Sequence, residues 1–144
     1  MREILFRGKD VRTGYWKEGS LVREWLGVDI GYTIRDVPDR FNQIAFRSIV
    51  DPKTVGQFTG LTDKSGRKIF EGDILKIVHK YQSPFDDDTK EYTDITTDVV
   101  FFDDEGLCFS YGESPFLCVA DNVTAEYEVV GNIHDNPELL EVTE

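Results

Sequence analysis

Several groups of residues in this sequence are of types that can do chemistry. Asp86-Asp87-Asp88 has the carboxylate density of a calcium loop. Such a loop takes ligands at alternating positions, a Gly at the sixth and a Glu at the twelfth. Counted from Asp86 those positions hold Glu91 and Thr97, so a solvated charge run is the better reading. Glu71 and Asp73 lie two apart, the spacing of paired carboxylates on one strand face. The Gly between them, Gly72, argues instead for a turn, where Asp73 accepts hydrogen bonds from backbone N–H groups. His134 beside Asp135 has the makings of an oriented base; a surface histidine is the commoner state. Gly112-Glu113-Ser114-Pro115-Phe116 begins like a nucleophile elbow but lacks the closing Gly. Neither glycine fingerprint for phosphates occurs. Cys108 and Cys118 form no CxxC, and His79 and His134 lie far from both, a poor match to a structural zinc site. The residues therefore predict no catalytic group, no metal and no cofactor.

Aromatic and basic residues crowd the first third of the chain. Tyr15, Trp16, Trp25 and Tyr32 lie among Arg7, Lys9, Arg12, Lys17 and Arg23. Aromatics between cations stack nucleic-acid bases. They equally fill the core of a small β-lobe or form a subunit contact, and packing or an oligomer contact is the favoured expectation.

Those residues must be positioned by a chain of 144 residues, the size of one domain or two small lobes. With 40% apolar and 31% charged residues the composition is globular. The net charge of −12 is unevenly placed: residues 1–80 carry +4 and residues 81–144 carry −16. That acidity argues against direct nucleic-acid binding, which needs clustered Lys and Arg. It leaves a basic protein partner, or mimicry of nucleic acid, open beside simple solubility. Both cysteines have apolar neighbours and read as buried thiols. The N-terminal residues show no apolar leader segment, and the expected address is the cytoplasm.

The elements read as strands almost throughout. Short apolar runs near Ile4-Leu5-Phe6, Tyr15-Trp16, Leu21-Val22, Tyr32-Thr33-Ile34 and Ile44-Ala45-Phe46 are punctuated by Gly, Asp and Ser, the pattern of a β-meander. Asp51-Pro52 reads as a turn or one helical turn, with Asp as cap and Pro in first position, and marks the expected boundary between an N-terminal lobe, 1–50, and a second domain, 51–144. A strand near Gln57–Leu61 with Gly60, the turn Asp63-Lys64-Ser65-Gly66, a strand at Ile69-Phe70, and a central strand at Ile74–Val78 follow. Residues 81–98 are expected to be an acidic mobile loop. A hairpin spans Val99–Phe109, and a strand spans Glu126–Val130 and ends at Gly131-Asn132. Asn136-Pro137 opens a short C-terminal helix.

Three segments together resemble the YopX family of phage and prophage proteins. They are Arg2–Lys9 with Gly14-Tyr15-Trp16 and Glu18-Gly19; Val55–Leu75; and Tyr127–Leu140. The resemblance implies an N-terminal β-rich portion followed by an SH3-like barrel, matching the strand count read from residues 57–133. It implies no activity and carries over no catalytic residues; at His134 the family's motif looks aromatic. Gly60, Asp63, Gly66, Glu71, Gly72, Asp73, Gly131, Asn136 and Pro137 are expected to be turn and capping residues. The leading expectation is a non-enzymatic binding module, phage-encoded and self-associating, with an unknown protein partner. The rival is an acidic inhibitor that occupies a basic site on a host protein.

Overall fold

The structure is a computed structural model that describes residues 3–36, 47–82, 91–103, 108–111, 114–115 and 125–140. The described residues are mostly β. Strands β1 (Phe6–Lys9), β2 (Trp16–Trp25), β3 (Ile30–Arg35), β4 (Arg47–Val50), β5 (Gly56–Thr62) and β6 (Lys68–Phe70) form a sheet ordered β4-β3-β2-β1-β5-β6. Strands β7 (Asp73–Gln82), β8 (Glu91–Asp103), β9 (Cys108–Tyr111), β10 (Ser114–Pro115) and β11 (Ala125–Asn132) form another, ordered β10-β9-β8-β7-β11. Every strand pairing described is antiparallel.

The chain divides into two compact units, Met1–Gly60 and Leu61–Glu144. The division falls within β5, not at Asp51-Pro52. The helical turn expected there does form, as a 3₁₀ turn at Pro52–Thr54 with the Asp51 side chain accepting from Lys53 N. The unit nevertheless continues past it, because Phe6 and Arg7 of β1 pair with Gln57 and Gly56 of β5. That long-range pairing has no local sequence signal.

The first unit curls on itself. Val11 N donates to Ile49 O at 3.0 Å, and Asp51 N donates to Lys9 O at 2.9 Å, so the end of β4 meets the end of β1. Inside the curl, Ile34 and Val50 are buried. Two glycines let these side chains approach. A Cβ at Gly8 would lie 3.0 Å from Val50 Cβ, and one at Gly19 would run into the Arg35 carbonyl oxygen. The Asp10 carboxylate, itself buried, accepts from Arg12 N at 2.8 Å and Thr13 N at 3.2 Å and shapes the β1–β2 turn.

In the second unit β7 is flanked by β8 and β11, as expected of a central strand, and its Ile74, Leu75 and Ile77 are fully buried. Leu75 and Ile77 cluster with Ile69 and Val100, against Leu61, Tyr127 and Val129. Residues 81–98 are not simply a loop. Tyr81 and Gln82 end β7, and Glu91–Asp98 begin β8, paired from Gln82↔Glu91 to Leu75↔Asp98. Thr93, Ile95, Thr96 and Thr97 are β-branched and suit a strand, a signal hidden by the neighbouring acidic run. Residues 83–90, including Asp86, Asp87 and Asp88, lie outside the described residues, as does Ile44-Ala45-Phe46. The expected helix at Asn136-Pro137 is a 3₁₀ turn, Pro137–Leu140. Barrel closure is not among the strand pairings described for the second unit. No helix among the described residues is long and apolar enough to cross a membrane.

The curl predicts that Gly19→Ala costs about 3 kcal/mol, the upper range for forcing a methyl group into packed structure. Thermal unfolding should show a Tm lower by roughly 5–10 °C. Ser20→Ala, at the next and exposed position, should leave Tm within about 1 °C.

Candidate functional site

The aromatic residues singled out in the sequence are all in the first unit, and the sheet sends them to different places. The register Arg7↔Glu18 and Lys9↔Trp16 sets Arg7, Lys9 and Trp16 on one face of β1 and β2. The Trp16 ring has Arg7 Cζ at 4.7 Å and Lys9 Nζ at 5.5 Å from its centroid. Both distances suit cation–π attraction. Trp16 is thus half-buried against cations of its own sheet, neither a core residue nor an open stacking platform.

The same face carries an ionic cluster. Arg35 and Arg47 stand opposite one another on β3 and β4, which alone would repel. Glu24 of β2 accepts from Arg35 Nη2 at 2.9 Å and Arg47 Nη1 at 2.7 Å, and also from the Thr33 hydroxyl at 3.3 Å. Partial burial would raise the Glu24 pKa, but the hydrogen bonds from Arg35 and Arg47 outweigh it and hold the carboxyl below its usual range. The glutamate is therefore ionised at neutral pH and unsuited to general acid work.

Trp25 and Tyr32 face the other way, with Arg23 and Ile30. Trp25 and Ile30 pair across the end of the β2–β3 hairpin. The turn between them is closed by Leu26 N donating to Asp29 O at 2.8 Å and Ile30 N donating to Asp29 Oδ1 at 2.7 Å. Leu26 folds back over Gly31, where a Cβ would collide with it. The tip is then left apolar and in water: Trp25 is 65% exposed, Val28 88% and Ile30 52%. Arg23, Glu24, Trp25 and Ile30 line a shallow depression of about 290 Å³ at its base. Tyr32 is half-buried and borders a separate depression of about 230 Å³ with Pro52 and Val55. Tyr15, 71% exposed, follows the Asp10 turn. Of the two favoured expectations, core packing does not hold for Tyr15, just before β2, or for Trp25 at its end, because both side chains face solvent. Val28 was missed altogether; a lone valine in a turn gives no signal in sequence.

The turn residues of the second unit behave as backbone devices. Gly60, Gly66 and Gly72 all have positive φ, and Gly72 at +86° bridges the turn by donating to Val100 O and accepting from Ile133 N. Asp73 is buried, with Oδ2 accepting from Phe70 N at 2.8 Å; Glu71 beside it is half-buried. Asp63 is the most heavily used. Its carboxylate accepts from Ser65 N at 2.9 Å, Arg67 N at 2.9 Å and Val129 N at 3.0 Å. Burial would raise its pKa, but these backbone donors, Val129 first, outweigh it and hold the carboxyl below the usual aspartate range. Asn136 does not cap its own turn through its side chain. Its carboxamide oxygen accepts from Asn132 N at 3.3 Å and lies so close to Gly131 that a Cβ there would meet it at 2.6 Å. The side chain of Asn132 closes the turn before it, its Oδ1 accepting from His134 N and Asp135 N. His134 lies over Gly72, its Nε2 3.6 Å from where a Cβ would stand. Among the described residues no three His, Cys, Asp or Glu side chains gather in a metal-binding group.

Against known proteins, the family described as YopX protein matches residues 6–141, nearly the whole chain. The chain therefore belongs to the YopX family. It is similar in fold to the crystal structure of protein EF1440 from Enterococcus faecalis, at 23% identity and a TM-score of 0.55, with 98% of this chain and 100% of that chain covered. Comparison with the curated proteins finds no significant match.

The Asp63 geometry generates a pH prediction. A carboxyl with a lowered folded pKa adds stability above its unfolded value, near 3.8, and that stability is lost as pH falls through the lower folded value. Asp63→Asn should lower stability at pH 7 by about 2–3 kcal/mol, the range for charged hydrogen bonds. Denaturant unfolding at pH 7 and near pH 3 should show the gap between variant and parent shrinking at the lower pH.

Proposed function

We propose that this YopX family member is a non-enzymatic interaction module, and that it holds a protein partner through the tip of the β2–β3 hairpin. The observation that carries this reading is the exposure of Trp25, Val28 and Ile30 together at one turn. Contiguous exposed apolar side chains rimmed by charge are the usual composition of a contact surface. Arg23 and Glu24 supply that rim. Aromatic anchors of this kind contribute most of the binding energy in typical interfaces.

The family resemblance supports a phage or prophage origin and, with it, action on a protein in the cytoplasm of a bacterial host. The SH3-like reading of the second unit draws support from β8, which changes partner from β7 to β9 between Val99 and Val100. Strands that switch partners in this way turn the corners of small barrels. The acidic-inhibitor alternative rests on charge alone, since its Asp86-Asp87-Asp88 run lies outside the described residues.

A pull-down from host lysate with the purified chain tests the reading. A partner should be held through washes at low and moderate salt, and lost with Trp25→Ala combined with Val28→Ser. The Tm of that variant should stay within about 2 °C, because both side chains face solvent. A partner that the variant retains excludes the hairpin tip. A partner released by moderate salt, or by Asn at residues 86–88, favours the charge-driven alternative.

A further inference from the structure

β8 is longer than the strands that serve it. Its residues 91–99 pair with β7 on one side, while on the other only 100–103 pair, with β9. Among the described residues no strand lies along the outer edge of Thr93–Thr97. All five of these side chains are exposed, Ile95 at 61%. Four of them, Thr93, Ile95, Thr96 and Thr97, are β-branched and favour extended backbone. Such an edge presents backbone N–H and C=O groups to any strand that can align with them.

We infer that this edge pairs antiparallel with the same edge of a second copy of the chain, across a two-fold axis at Ile95. An axis of this kind sets one residue opposite itself and fixes the rest of the register. With the axis at Ile95, Ile95 faces the partner's Ile95, Thr93 faces the partner's Thr97, and Asp94 faces the partner's Thr96. Apolar pairs and threonine pairs across strands are stabilising. Moving the axis one residue to Asp94 sets that carboxylate against itself. Moving it one residue to Thr96 sets Asp94 against the partner's Asp98. Like charges directly opposite are destabilising, so charge favours the Ile95 register over both of its neighbours. The inference is independent of the hairpin-tip reading, which concerns the other unit.

Each copy carries −12, so the two repel at long range and the association should tighten as salt rises. Sedimentation of the whole chain should show a concentration-dependent dimer of twice 16.5 kDa. Ile95→Asp, which sets a carboxylate on the axis beside Asp94, should weaken the dimer by at least about tenfold while leaving Tm unchanged. In a chain with Cys108→Ser and Cys118→Ser, Ile95→Cys should form an intermolecular disulfide under mild oxidation. Directly opposed residues have Cα atoms about 4.5–5.5 Å apart, within the range a disulfide spans. Thr97→Cys should not link, since its equivalent lies roughly 13 Å along the partner strand. A chain that stays monomeric at about 100 μM, a dimer indifferent to Ile95→Asp, or equal linking at both positions overturns the inference.

Discussion

A chain built almost wholly of strands must satisfy the backbone N–H groups that its turns leave over, and everything else in this structure depends on that. Buried N–H groups without partners are rare because each costs free energy comparable to a lost hydrogen bond. Here aspartate supplies the acceptors. Asp10, Asp63 and Asp73 are each buried, and each accepts from backbone N–H groups of its own turn. Asp63 reaches further, to Val129 on β11. The Asp63–Gly66 turn adds Lys64 N donating to Tyr127 O, so it lies along β11 and helps enclose Leu61, Tyr127 and Val129 against the buried cluster. Some of the chain's acidity is therefore structural. These carboxylates hold turns in place.

The apolar hairpin tip is the counterpart of that economy. Its turn is held by Asp29, through a backbone carbonyl and a side-chain oxygen. Trp25 and Val28 keep most of their surface in water, whereas Ile34 and Val50, with Gly8 and Gly19 making room, fill the inside of the curl. Trp16 shows the contrast: it too is an aromatic in β2, but Arg7 and Lys9 cover its ring.

The turns were the most legible part of the sequence, because their physics is local. The Asp51-Pro52 cap, the Asp63–Gly66 turn and the Glu71-Gly72-Asp73 turn follow from residue chemistry within a few positions. Pairings between distant strands were not legible. Nothing near Gln57 announces that it pairs with Phe6, the pairing that carries the first compact unit past Asp51-Pro52. The strand at 91–97 was obscured because it is exposed on both faces, and alternation of apolar and polar residues appears only where one face is buried. At the C-terminal turn the residue types were readable but their division of labour was not. Gly131 is needed for the approach of Asn136, whose side chain turns back to Asn132 N while its backbone carbonyl accepts from Leu139 N of the 3₁₀ turn. The candidate surface was half visible: Trp25 stood out by type, Val28 by nothing.

The strand edges show how the fold avoids uncontrolled pairing, and why one of them differs. The end of β4 is closed against β1 by backbone hydrogen bonds. β6 has three residues and β10 has two, one of them Pro115, which has no N–H to offer. β11 is overlaid by the Asp63–Gly66 turn. Each is a recognised way to blunt an edge: closure, shortness, proline, or cover. Along Thr93–Thr97 none of these operates among the described residues, and only Asp94 and the nearby Asp98 stand guard. Charge is a selective guard. It rejects registers that oppose two carboxylates and admits those that do not, so it specifies a partner strand where the other devices refuse any.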